Sequence, residues 1–259
     1  MIYNYESWIL KSPDIIQTLN RIIKQYYTSR CKQLPENNSI KQVNDGCVLI
    51  FCRHKGQYIK IANLDYKMFY PSIVYGLKLN PSSDYLGAYQ YILNYLLDAL
   101  NKIPKDNRED AKKIKGFITK MCSGWLNSKD FVFMDSKMHR KVLSYGKKIM
   151  EKVVNITDKN SDFKLLTVNT DGMYVQCLQN KNIQKYFNDL AFEINKTINI
   201  PFLTIRIKNI WTEIDIFNVN SYFVYNKYSQ DYDFKGFEDW LYNFKIKWRD
   251  ENGNSMQYE

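Results

Sequence analysis

Two aspartates occupy positions suited to chemistry. Asp65 ends the apolar run "YIKIANLD", and Asp171 lies in "NTDG", a tight-turn signal inside "DFKLLTVNTDGMYVQC". If the strands carrying them are neighbours in one sheet, both carboxylates converge on one edge. Such a pair can hold magnesium, a hard cation that takes carboxylate oxygens together with substrate phosphates. Two ions roughly 3.5–4 Å apart can activate a hydroxyl and stabilise a leaving oxygen in in-line phosphoryl transfer. Taken singly, each aspartate has a structural explanation: Asp-Gly is a common turn signal, and Asp65 could cap the segment that follows. Glycosidases also use paired carboxylates. After Asp65 comes a dense aromatic cluster, Tyr66, Phe69 and Tyr70, closed by Pro71 and Ser72, which reads as a rigid turn.

The elements that must position these groups follow from periodicity. Apolar residues recur at helical spacing in 14–27 (Ile16, Leu19, Ile22, Ile23, Tyr26) and in 88–103. After the break "PKDNRED" a second helical stretch begins at Ala111, so the two form a helical hairpin. "KMHRKVLSYGKKIMEKVVN" is a further helix with Val142, Tyr145, Ile149 and Val153 on one face, and another helix is expected over 182–198. "CVLIFC" and "YIKIANLD" read as two strands joined by the turn-like "RHKGQ". Further strands are expected in "FLTIRIKNIWTEIDIF" and "VNSYFVYNKY", and the loop "PENNSIKQVNDG" precedes the first strand pair. Helices alternating with such strands predict an α+β fold, an antiparallel sheet backed by helices with a helical insertion.

Composition narrows the function classes. The net charge is +10 and there are 21 tyrosines. A lysine field attracts polyanions and aromatic faces stack on bases, which together favour nucleic acid over a merely solvated surface. The five cysteines (Cys31, Cys47, Cys52, Cys122, Cys177) are scattered without a C-x-x-C pair, as expected of free thiols in a reducing compartment. The two histidines, His54 and His139, give little support to a histidine metal centre or a Ser-His-Asp triad. No apolar stretch is long enough to span a bilayer, and the N-terminal residues do not read as a signal peptide.

"LDYKMFYPSIVYGLKLNP" resembles motif A of family B DNA polymerases, D-x-x-S-L-Y-P-S: Asp65 falls on the metal-binding aspartate, Tyr70 on the tyrosine and Pro71-Ser72 on the Pro-Ser. "LTVNTDGMYV" resembles motif C, Y-x-D-T-D-S, through Thr170-Asp171. "GCVLIFCRHKGQYIKIANLD" is similar to the strand pair leading into motif A, "VLSYGKKIMEKV" to the T-x-x-G-R helix, and "VNSYFVY" with "DFKGFE" to the K-x-Y region and the KGF turn. The resemblance covers residues 46–238. It implies a polymerase palm with a helical-hairpin fingers insertion. The expected divisions are an N-terminal helical segment and loop (1–45), palm with motif A (46–83), fingers with motif B (84–130), palm with motif C (131–225) and a partial thumb or C-terminal tail (226–259).

The resemblance also implies roles. Asp65 and Asp171 would hold two magnesium ions, with manganese as a substitute, and the backbone carbonyl of Tyr66 would be a further ligand. Backbone N–H groups near Met68 and Phe69 would face the triphosphate of a dNTP. Tyr70 would pack beneath the deoxyribose and exclude a 2′-hydroxyl. Motif B, K-x-x-x-N-S-x-Y-G, fits "IKGFITKMCSGWL" loosely: Lys115 takes the lysine place, Thr119 the asparagine and Cys122 the tyrosine, with Lys112 and Lys120 as rival phosphate ligands. A seven-residue step keeps Lys115 and Cys122 on one helix face. Asn169 replaces the first aspartate of motif C. Asn220 or Ser221 stands in the region of the K-x-Y lysine with Tyr222 retained, so Lys235 is expected to contribute to the primer grip together with Asn169 and Thr170.

The expected activity is template-directed DNA synthesis on a primer–template, without proofreading, because only residues 1–64 precede Asp65 and an exonuclease domain would need more. The chain is expected to be a minimal or split polymerase of viral or plasmid type, with a separate exonuclease or thumb subunit as a partner, acting in the cytoplasm or at a viral replication site and not in a membrane. Two alternatives remain open: a non-catalytic polymerase-derived subunit that binds nucleic acid or a partner, and a metal-dependent nuclease using the same aspartates.

Overall fold

The computed structural model describes residues 5–30, 32–34, 48–218, 220–236, 247–249 and 255–257. Cys31, Cys47, the loop residues 35–46, the KGF residue Phe237 and half of the expected thumb or tail lie outside the described residues. The chain forms two compact units: residues 1–48, 66–153 and 194–205, and residues 49–65, 154–193 and 206–259.

The first unit is helical. It contains α1 (Tyr5–Lys11), α2 (Ile15–Thr28), α3 (Phe69–Gly76), α4 (Ala88–Lys102), α5 (Arg108–Met121), a 3₁₀ turn (Gly124–Asn127) and the larger part of α6 (Ser136–Lys159). Helix α2 buries Leu19, Ile22, Ile23, Tyr26 and Tyr27, the stripe its periodicity predicts. Its N-terminus is capped by Asp14, whose Oδ1 accepts from the backbone N–H of Ile16 and Gln17, both at 3.1 Å. Helices α4 and α5 pack together as the expected helical hairpin. Asp84, buried, fixes the start of α4 by accepting from the N–H groups of Ala88 (3.0 Å) and Tyr89 (2.8 Å) and from the Tyr27 hydroxyl (2.8 Å).

The aromatic stretch after Asp65 turns only at Lys67-Met68 and is a helix from Phe69 onward. Met68 adopts the left-handed conformation (φ 53°, ψ 54°) and turns the chain into α3. Pro71 is then the third helical residue, inside the first turn, where a missing N–H breaks no intrahelical bond.

The second unit is built on a sheet of β1 (Ile50–Cys52), β2 (Gly56–Tyr66), β3 (Phe163–Asn169), β4 (Gly172–Cys177), β5 (Ile205–Asn218), β6 (Ser221–Asn226) and β7 (Asp231–Lys235), in the order β1-β3-β4-β2-β5-β6-β7. A separate strand pair joins β8 (Lys247–Arg249) and β9 (Ser255–Gln257). The β3–β4 and β5–β6 pairs are antiparallel, and the first is the hairpin that its Asn169-Thr170-Asp171-Gly172 turn predicts. One expectation changes. β1 and β2 are consecutive strands but not partners: β1 pairs with β3 (Ile50↔Asn169, Cys52↔Thr167), while β2 pairs with β4. A short connection permits a hairpin without dictating one, and the β3–β4 hairpin lies between the two strands. The core of the curled sheet gathers Ile61, Leu166, Tyr174, Trp211, Ile214, Ile216 and Val224. Helices back it: Thr157 of α6 reaches the Met173 sulfur at 3.8 Å, and Phe187 of α7 (Ile183–Ile198) packs on Phe163 with ring centroids 5.6 Å apart.

Candidate active site

A polar cavity of about 240 Å³ in the sheet unit is lined by both aspartates. The register explains why. Across β3, β4 and β2 the residues pair as Asn169↔Gly172↔Asp65 and, two residues further along, as Thr167↔Tyr174↔Asn63. Because side chains alternate along a strand, these rows point to one face, and all six residues line the cavity. Asp171 stands beside them in the two-residue turn, where Thr170 takes a positive φ of 27°. Gly172, between Asn169 and Asp65, is what admits the carboxylate. A Cβ there would lie 2.9 Å from the Leu64 carbonyl oxygen and 3.3 Å from Asp65 Oδ1.

The electrostatics are those of two crowded acids. Burial raises the Asp171 carboxyl above the usual carboxylate range, and the neighbouring charge of Asp65 raises it further; Lys208 and Lys235 pull it back down. The far wall is phenolic. Tyr174 and Tyr222 meet edge to face with centroids 4.8 Å apart, and burial raises both hydroxyls. Asn63 Nδ2 donates to the Tyr174 hydroxyl at 3.3 Å. Tyr222 pairs with Lys235, whose ammonium donates to Asn220 Oδ1 at 3.1 Å.

This donor set suits a hard divalent cation. It offers two carboxylates, amide oxygens from Asn63 and Asn169 and the Thr167 hydroxyl, with no thiol or imidazole. Among the described residues no group of three or more His, Cys, Asp and Glu side chains gathers to hold a metal, so any ion here rests on two carboxylates, the number magnesium commonly takes alongside water and phosphate.

Of the sequence-predicted residues, Asp65, Asp171, Asn169, Tyr222 and Lys235 share this cavity, with Thr170 in the adjoining turn. Tyr66, Met68, Phe69, Tyr70, Lys115 and Thr119 belong to the helical unit. There Tyr66 stacks on Phe69 (5.1 Å, 28°) and Phe69 contacts Tyr70 (5.3 Å, 53°). Gly146 of α6 gives these rings room: a Cβ there would lie 3.0 Å from Phe69 Cε1 and 3.1 Å from Tyr70 Cε1. Lys115 is exposed near the middle of α5, whereas Cys122 is fully buried at its C-cap, its thiol pushed up to about 12 by burial. The seven-residue step therefore leaves the two in different surroundings. Thr119 Oγ1 returns to the Lys115 carbonyl at 2.9 Å. Lys112 and Lys120 are exposed, like Lys115.

Five lining residues escaped sequence reasoning: Asn63, Thr167, Tyr174, Met173 and Lys208. Strand alternation could have found the first three, since Asn63 lies two residues before Asp65, Thr167 two before Asn169 and Tyr174 two after Gly172. Nothing in the sequence marks Lys208, because it arrives on β5 from a different part of the chain.

Neither protein families nor curated proteins yield a match. Among solved structures, the family B DNA polymerase from the hyperthermophilic archaeon Pyrobaculum calidifontis matches with a TM-score of 0.59 and 13% identity, over 86% of this chain and 33% of that one. The fold is polymerase-like. The chain spans a third of that polymerase's length, and the likeness is one of architecture. No helix among the described residues is long and apolar enough to cross a membrane.

Proposed function

We propose that the chain is a nucleotidyltransferase of the DNA polymerase type, joining a dNTP to a primer 3′-hydroxyl on a template. The observation that carries this reading is the meeting of Asp65 and Asp171 in one oxygen-lined cavity; the polymerase-like fold supports it. Asp65 and Asp171 would hold magnesium, and the Tyr66 carbonyl would be a further ligand. When bound, the metal supplies Lewis acidity to the attacking hydroxyl and the α-phosphate. Gly172 keeps the space beside Asp65 open. The N–H groups of Met68 and Phe69 stand where the chain enters α3, and the first N–H groups of a helix have no intrahelical partner and suit an anion. Tyr70, braced by Phe69, excludes a ribose 2′-hydroxyl. The α4–α5 hairpin serves as fingers, with Lys115 on the triphosphate, and Asn169, Thr170, Tyr222 and Lys235 hold the primer. No protein nucleophile is required.

Primer extension with DNA primer–template, dNTPs and magnesium tests the proposal. Wild type should extend, and Asp65→Asn and Asp171→Asn should each lose at least a thousandfold in rate. A wild-type chain that binds primer–template but never extends it, with any partner subunit supplied, is a non-catalytic subunit instead. Loss of substrate without dNTPs would make it a nuclease.

A further inference from the structure

The cavity's charge balance carries one more step, which rests on the metal reading above. Four charged side chains line it: Asp65, Asp171, Lys208 and Lys235. By formal charge the two carboxylates and two ammonium groups sum to zero, so the cavity's own charges are balanced before any ion enters. A divalent cation there leaves an excess of two positive charges in a concave polar site, and such an excess recruits an anion.

The two lysines are not equivalent. Lys235 is engaged by Asn220 Oδ1 at 3.1 Å. Lys208 is exposed, on β5 next to the strand that carries Asp65, and its ammonium sits on a flexible four-carbon stem.

We propose that Lys208 is an exchangeable counterion of the cavity, offsetting Asp171 when no divalent ion is bound and turning to a phosphate oxygen of the nucleic acid or nucleotide when one is. It is a positioning residue and takes no part in bond making. The consequence is a coupling of opposite signs: Lys208 weakens metal binding to the free protein and strengthens metal-dependent binding of phosphate.

The test uses the full chain. Manganese affinity is measured by electron paramagnetic resonance of the free ion without DNA, and primer–template affinity by fluorescence anisotropy with and without manganese, in the absence of dNTPs. Lys208→Gln should bind manganese about three- to fivefold tighter, while the manganese-dependent gain in DNA affinity shrinks by a similar factor. Lys208→Arg, which keeps the charge, should stay near wild type. Unchanged manganese affinity in Lys208→Gln overturns the proposal, as does weakening of both affinities together, the signature of a merely structural lysine. Manganese binding that survives both Asp65→Asn and Asp171→Asn would instead sink the metal reading itself.

Discussion

Two glycines, one in each unit, make room for different things. Gly172 of the sheet unit sits between Asn169 and Asp65 and makes space for a carboxylate against a backbone carbonyl. Gly146 of the helical unit makes space for the rings of Phe69 and Tyr70. The residues they serve are close in the chain, since Asp65 precedes Phe69 by only four positions, yet one faces a polar cavity and the other lies in a dry aromatic stack. The short stretch "LDYKMFY" thus changes chemistry within a turn of chain. Around Asp65, position is set by strand register, which backbone hydrogen bonds hold rigidly. Around Phe69, it is set by ring packing, in which neighbours can yield by small shifts.

That contrast should be visible in mutants. The largest effect belongs to Gly172→Ala, because the new methyl meets backbone rather than a side-chain tip. Urea unfolding should show a loss of about 2–3 kcal/mol, with weakened manganese binding. A loss below about 0.5 kcal/mol would mean that the register around Asp65 is softer than its hydrogen bonds imply.

The next effect concerns Asp171 and pH. Its carboxyl is raised in the folded chain, so folding disfavours its charged form. The associated stability is present below the ordinary aspartate value near 3.8 and is lost as pH rises through the raised folded value. In chelator-treated protein, Asp171→Asn should therefore be more stable than wild type at neutral pH, and the difference should vanish in acid. Equal stabilities across that range would show that Lys208 and Lys235 already neutralise the carboxylate fully.

Gly146→Ala should cost less, about 1 kcal/mol or under, since helix propensity favours alanine by about as much as displacing two rings costs. Thermal unfolding measures it. A loss as large as that of Gly172→Ala would erase the distinction between a backbone wall and a side-chain wall. Smallest is Tyr66→Phe. The Tyr66 hydroxyl is buried with no hydrogen-bond partner among the described residues, so its removal should be neutral or stabilise the fold by up to about 1 kcal/mol. Destabilisation would reveal a partner for that hydroxyl.

Much of the architecture is legible in the residues. The stripe of α2, the α4–α5 hairpin and the β3–β4 turn all follow from local rules, because 3.6- and two-residue periodicities and Asp-Gly turn chemistry act over short distances. Helix α3 was less legible: aromatic and proline residues suggest a turn, and only the left-handed Met68 together with the packing of Phe69, Ile73 and Val74 makes the segment helical. The partner of β1 was not legible, since pairing with β3 joins residues more than a hundred positions apart.

The sequence by itself determined which groups are available: two aspartates at a strand end and a turn, an aromatic run beside one of them, and a basic surround. Only the tertiary structure decided that Asp65 and Asp171 share a cavity, that Gly172 opens it, and that Lys208 faces into it. The reason is physical. Local propensity follows from the covalent neighbourhood of each residue, whereas the order of strands in a sheet is chosen by burial and hydrogen bonding summed over the whole unit, so no short window of sequence carries it.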